Sequence, residues 1–155
     1  MLSISHTLAG AAIAYHTQDP FIATPLILAS HYLLDAVPHW DAGTGLSNGD
    51  KTVKSAILQE IPDLALSGIL VLIFFPPSLD TFSSLSSIVQ YAPFWGAFIA
   101  LIPDFLEAPR NFLKWEPRWL APINRFHHSF HHSIPRMLDG LAPQFLLLIM
   151  IWMTR

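Results

Sequence analysis

The residues of this chain best suited to chemistry are histidines and aspartates lying on or beside apolar stretches. In His31-Tyr32-Leu33-Leu34-Asp35 the first and last residues are one helical turn apart on one face, so an imidazole nitrogen and a carboxylate oxygen can grip the same ion. Those ligand types suit Zn²⁺, Mn²⁺ and Fe²⁺. A helix-stabilising pair is the ordinary alternative, but an ionisable pair is costly inside an apolar segment and marks a functional site there by default. The run His127-His128-Ser129-Phe130-His131-His132 is the second cluster. If helical, it pairs His127 with His131 and His128 with His132 on adjacent faces, and one pair can point inward; a solvated polar turn is the alternative. His6, one turn into the first apolar segment, and Asp104, at the end of a long uncharged run, join the candidate ligands. The set is then His6, His31, Asp35, Asp104, His127, His128, His131 and His132. Asp63 and Asp104 each follow a proline, whose kink can turn a carboxylate into an interior cavity. Glu107 and Asp63 are the candidates for a general base. His39 and Asp41 follow Pro38, which is expected to end their helix and leave them at the rim, and His16 reads as a loop residue away from the others.

These residues must be positioned by helices. The chain has 155 residues, 52% of them hydrophobic and only 12% charged, against roughly 25% charged in soluble globular chains. That deficit points to lipid as solvent, with a soluble all-helical protein around an apolar core as the alternative. Five apolar segments follow one another, about Ile4–Tyr15, Phe21–Val37, Val53–Phe75, Leu85–Leu106 and Met137–Met153. Their lengths and lack of strand-like alternation predict helices, the second opened by Asp19 as N-cap with Pro20 in its first turn. Only the fourth, uncharged from Thr81 to Pro103, comfortably reaches the 20 or so apolar residues of a spanning helix. The expected fold is all-α: a single-domain, compact bundle (residues 1–155) of about five short, mostly transmembrane helices, with an interfacial connection before the last. In that connection, from Glu107 to Arg136, basic residues alternate with Trp115, Trp119 and other apolar side chains while Pro109, Pro117 and Pro122 interrupt any long helix. Met1 to Gln18 lacks a basic n-region and a small-residue cleavage site, so it is expected to remain in the mature protein.

Charge orients the bundle. If all five segments span, Lys51, Lys54, Arg110, Lys114, Arg118, Arg125 and Arg136 fall on one side and only Arg155 on the other. Cytoplasmic loops are the ones enriched in Lys and Arg, so the chain is expected in the inner membrane, multi-pass, with its N-terminus cytoplasmic. His6, Asp35, Asp104 and the His127–His132 run then lie at one depth, near the cytoplasmic face. Zero cysteines exclude disulfides, Cys-ligated zinc, thiol catalysis and iron–sulfur clusters. A net charge of −3 without a basic tract argues against nucleic acid as a partner.

Ser5-His6-Thr7, the stretch Ser30-His31-Tyr32-Leu33-Leu34-Asp35-Ala36-Val37-Pro38-His39-Trp40-Asp41, Ile102-Pro103-Asp104 and the run His127–Ser133 together resemble a family of bacterial inner-membrane metal-dependent hydrolases sometimes described as LexA-binding. That family is in turn distantly similar to the helical zinc phospholipase C and P1-type nuclease fold. Its members show His-Arg-Gly, a free position, then Thr-His-Ser; His127 and His132-Ser133 match that spacing, while His128, Ser129 and His131 replace the arginine, glycine and threonine. The resemblance implies a membrane-embedded hydrolase that cleaves a phosphoester of a lipid or lipid-linked substrate. One to three divalent ions, zinc first and manganese or iron as alternatives, would lower the pKa of bound water and neutralise charge on phosphoryl oxygens. The expected partners are membrane lipid and a lipid-phosphate substrate, with Arg110 and Lys114 attracting the anionic headgroup. The competing reading is a non-enzymatic membrane scaffold or interaction protein whose metal is structural. Transport is disfavoured because no matching polar set lies on the outer side, and bis-histidine haem because the last three apolar segments carry no histidine at mid-depth.

Overall fold

A computed structural model describes residues 1–46 and 48–155, and the regular structure among them is helical. The helices are α1 (Ser3–Thr17), α2 (Pro20–Asp35), α3 (Val53–Phe74), α4 (Leu85–Gln90), α5 (Ala92–Ala100), α6 (Ile102–Leu113), α7 (Ala121–Phe130) and α8 (Met137–Thr154), with a single 3-10 turn at Leu79–Phe82. Helix α1 is apolar or small-sided on every face, and such a helix has to be buried all round. Accordingly α2, α3, α5 and α8 surround it, and Leu8, Ala11 and Ala14 are inaccessible. Glycine makes the closest of these approaches possible. A Cβ on Gly10 would lie 2.4 Å from the Gly96 carbonyl oxygen, and one on Gly96 would lie 2.4 Å from that of Gly10. The backbones of α1 and α5 therefore meet with no side chain between them.

Local signals explain the ends. Asp19 accepts a hydrogen bond from the Phe21 N–H with Pro20 in the first turn of α2, as the sequence predicts. Thr52 caps α3 by accepting from the Ser55 N–H. Helix α1 has no cap of its own; Asp63, on α3, accepts from the N–H groups of Ser3 at 2.6 Å and Ile4 at 3.3 Å. A carboxylate at a helix N-terminus satisfies orphan donors and opposes the helix dipole.

The fourth apolar segment departs from expectation. Rather than one long span, it is divided into α4, α5 and the start of α6. Ser84 caps α4 through the Ser87 N–H, Tyr91 is extended at φ −70° and ψ 109°, and Pro93 and Pro103 sit in the first turns of α5 and α6. Each of these favours a helix start over continuation. Among the described residues only α3 (22 residues) and α8 (18 residues) are long and apolar enough to cross a membrane, against the mostly transmembrane bundle expected. Both leave most of their apolar side chains uncovered. Their C-terminal ends lie together, where the Arg155 guanidinium stacks on Trp152 and donates to the carbonyls of Ile73 and Phe74. The stretch before α8 also holds more helix than its prolines suggest: α6 runs through Pro109 until Lys114 turns into the left-handed region at φ +55°, and α7 begins with Pro122 in its first turn.

Candidate metal centre

The cluster is built around Asp35, the last residue of α2, whose side chain is fully buried. Its two oxygens face different histidines. Oδ2 lies 3.3 Å from His31 Nε2 and 2.9 Å from His127 Nε2; Oδ1 lies 3.2 Å from His6 Nε2 and 3.8 Å from His39 Nε2. The α-amino nitrogen of Met1 is ion-paired with Oδ1 and lies 3.1 Å from His6 Nε2, so a cationic group already rests against this carboxylate. Helix α1 supplies His6, α2 His31 and Asp35, α6 Asp104 and α7 His127; the four ligand atoms of His31, Asp35, Asp104 and His127 lie within 4.8 Å of one another.

Hydrogen bonds to backbone carbonyls fix which nitrogen His31 and His39 offer. His31 Nδ1 is 2.7 Å from the Ala100 carbonyl, which can only accept, so this nitrogen carries the proton and Nε2 of the neutral ring presents a lone pair. That lone pair points at His127 Nε2 at 3.2 Å, and Asp104 Oδ1 is 3.6 Å away. His127 Nε2, 2.9 Å from Asp35 Oδ2, can fill this space as the protonated nitrogen of its ring, or as a second lone pair it can share a metal ion with His31, Asp35 and Asp104. A carbonyl behind the ligating ring is the usual support of a metal-binding histidine. The close approach of α1 and α5 through Gly10 and Gly96 brings the end of α5, and with it that carbonyl, over His31. His6 stacks on His31 with ring centroids 3.9 Å apart, and the buried Nδ1 atoms of His6 and His127 have no hydrogen-bond partner. The donor set, three imidazole Nε2 atoms and two carboxylates gathered at Asp35, fits a divalent ion with N and O ligands.

A second group shares Asp35. With His39 and His131 it forms a set whose ligand atoms again lie within 4.8 Å of one another. His39 Nδ1 donates to the Val37 carbonyl at 2.8 Å, leaving Nε2 toward Asp41 Oδ2 at 2.9 Å and His131 Nε2 at 3.2 Å. Backbone pairing holds the two segments side by side: the His39 N–H donates to the His132 carbonyl, Ile134 to that of His39, and His132 to that of Asp35. Thr44 fixes Asp41 by donating to Oδ1 and accepting from the Asp41 N–H, so Oδ2 stays turned to the histidines. Burial pushes the Asp41 carboxyl up, but hydrogen bonds with His131 and His39 outweigh it and hold the group well below its ordinary value. Burial likewise pulls the His131 imidazole down, and the hydrogen bond and charge of Asp41 outweigh that and raise it.

Of the eight ligands expected, six converge: His6, His31, Asp35, Asp104, His127 and His131. His128 and His132 do not. Helix α7 ends at Phe130 and His131 is extended, so the helical pairing of His128 with His132 is not formed; both are exposed, and His132 Nδ1 donates to the Phe130 carbonyl. Asp63 is occupied as the cap of α1. Glu107 lies at the far side of His127, Oε2 being 3.4 Å from Nδ1, while Oε1 pairs with Arg110. His39 and Asp41, expected only at the rim, stand inside the second group. Their signal was the spacing Asp35-x-x-x-His39, which repeats that of His31 and Asp35; the sequence did not show that the chain past Pro38 folds back along residues 131–134. A cavity of about 360 Å³ reaches the cluster, lined by Asp41, Asp104 and His131 on one side and Glu60, Leu64 and Arg110 on the other. Comparisons with protein-family models, curated proteins and solved structures gave no match to this chain.

Proposed function

We propose that this protein is a metal-dependent hydrolase that cleaves a phosphoester of a lipid or lipid-linked substrate at the inner membrane. The observation that carries the reading is the Asp35 carboxylate, buried, with each oxygen turned to a separate set of imidazole nitrogens. Two neighbouring sites sharing one carboxylate are the arrangement suited to clamping the attacking and leaving oxygens of a phosphoryl group. His31, Asp35, Asp104 and His127 would hold one ion and Asp35, His39, His131 and Asp41 a second, with His6 beside both. Zinc is the first choice for this N and O donor set. When bound, such ions supply a water of lowered pKa and neutralise charge on phosphoryl oxygens. Ala100 and Val37 keep the His31 and His39 rings in the ligating tautomer, and Glu107, at the cavity and 3.4 Å from His127 Nδ1, is placed to take a proton, whereas Asp63 is committed to α1. The lipid part of the reading is supported by α3 and α8, by the cavity that opens beside α3, and by the resemblance to the inner-membrane hydrolases. A multi-pass arrangement with the N-terminus and the cluster on the cytoplasmic side belongs to this proposal on the condition that α1, α2 and α5 cross together with α3 and α8, since the basic residues segregate to one side only then.

The second reading is a structural metal site in a membrane scaffold, favoured by the full burial of His6, His31, Asp35 and His127. Against it stands the cavity at Asp104, Asp41 and His131, because a closed structural site leaves no position for water. The test is direct. The full chain, purified without a histidine tag, is assayed for metal stoichiometry and for hydrolysis of phospholipids and a soluble phosphodiester, beside His31→Ala, Asp35→Asn and His132→Ala. Metal content is expected to fall by at least about tenfold in the first two and to hold in the third. Retention in Asp35→Asn would refute the site; metal without hydrolysis of any ester would assign the structural role.

A further inference from the structure

An apolar groove of about 620 Å³ runs between α3 and α5, lined by Leu64, Gly68, Leu72, Ala97, Phe98 and Leu101. It borders the cluster's cavity. Leu64 lines both the groove and the cavity that holds Asp41, Asp104 and His131, so the two spaces neighbour each other across this side chain. Leu64, Gly68 and Leu72 follow one another at four-residue spacing along one face of α3, which makes the groove a strip roughly 12 Å long leading away from the cluster.

Gly68 supplies the second observation. A glycine inside a helix costs about 0.5–1 kcal/mol relative to alanine and calls for a reason. Gly10 and Gly96 let two backbones meet, and Gly140 lets α8 dock on the loop at Trp40, where an added Cβ would lie 2.3 Å from the Trp40 nitrogen. At Gly68 an added Cβ meets nothing within 4 Å. None of the described residues fills the space this glycine leaves. The groove also opens beside exposed Leu66, Ile69 and Ile73 on a helix long and apolar enough to cross a membrane.

We infer that the groove seats one alkyl chain of a membrane lipid whose phosphoester head lies in the adjoining cavity at the His/Asp cluster, with Gly68 left bare to admit the chain. The inference rests on the hydrolase reading for what happens at the head, and on the groove alone for where the chain lies. The occupant is an amphiphile because the two neighbouring spaces differ in character: carboxylates, imidazoles and Arg110 stand among the walls of one, and the other is lined almost wholly by hydrocarbon side chains.

The experiment incorporates the full-length protein into phosphatidylcholine vesicles doped with a phosphatidic acid carrying a photoreactive diazirine along its acyl chain. Cross-linked peptides are mapped by mass spectrometry for the wild type, Gly68→Ala and Gly68→Leu. Helix propensity favours both substitutions over glycine, so both variants should fold; circular dichroism and metal content check that they do. Label is expected within residues 64–72 and 94–101 of the wild type, and Gly68→Leu, which fills the groove, should lower it by at least about tenfold. Hydrolysis of a soluble, chainless phosphodiester should be unchanged in Gly68→Leu while lipid hydrolysis falls. Label confined to the outer faces of α3 and α8, or cross-links from the groove to a second copy of the protein, would overturn the inference while leaving the metal chemistry intact. Groove label that is sensitive to Gly68→Leu in a protein that binds no metal would keep the lipid seat and remove the hydrolase reading.

Discussion

Each oxygen of Asp35 serves a different set of histidines, and the Asp41–His131 pair at one edge makes the consequence measurable. In metal-free protein Asp41 is held below its ordinary value of 3.8 and His131 above its ordinary value of 6.5. The Asp41 contribution to stability is present above 3.8 and lost as pH falls through its lowered value. The His131 contribution is fully present below 6.5 and lost as pH rises through its raised value. The melting temperature of chelated protein should therefore decline as pH rises from about 6 to about 9, and His131→Gln should flatten that slope. An equal slope in the variant would show that the pair is not coupled to folding. At this scale the sequence was informative where ligands share a helix. His31 and Asp35 were legible as a pair, while the choice of His131 over His132 depends on α7 ending at Phe130, which the four-histidine run does not signal.

Helix α1 owes its place to small residues as much as to apolar ones, and the crossing at Gly10 and Gly96 controls the distance from α5 to α2. Gly96→Val would drive a side chain into the α1 backbone, since its Cβ would lie 2.4 Å from the Gly10 carbonyl oxygen. Overpacking of this kind costs on the order of 3 kcal/mol, equivalent to a loss of roughly 10 °C in Tm for a chain of this size. Because the Ala100 carbonyl orients His31, metal affinity should fall as well, which calorimetry with added zinc would measure. A variant with unaltered Tm and affinity would remove the crossing from the account of the site. The ends of α1, α2, α3 and α8 were legible within one or two residues from apolar runs and, for α2, from the cap Asp19. The division of the fourth segment was not, because hydropathy integrates over Tyr91 and Pro93 and cannot see that a short helix restarts there.

The whole molecule is a bundle whose buried polar residues lie where five helices and a returning loop meet. Breadth of support of that kind predicts strong linkage between metal and folding. With free metal at roughly 100 times its Kd the folded state gains about 2.7 kcal/mol, so chelation should lower Tm by about 5–10 °C; an unchanged Tm would mean that no ion is held by the native state. The low charge and the wealth of histidine led to the expectation of a metal site in a membrane bundle, and the structure bears out a His/Asp group able to hold an ion and, among the described residues, two helices long and apolar enough to cross, α3 and α8, a restriction visible only once the helix breaks are known. Asp35 and His127 bond across 92 residues of sequence, and His6 and Asp35 across 29. No local stretch can gather the ligands, so loop closure over most of the chain must precede their meeting. An ion held there would be a latch and not a nucleus: in a denaturant-jump experiment on the same chelated sample, its removal should leave the refolding rate unchanged and make unfolding faster.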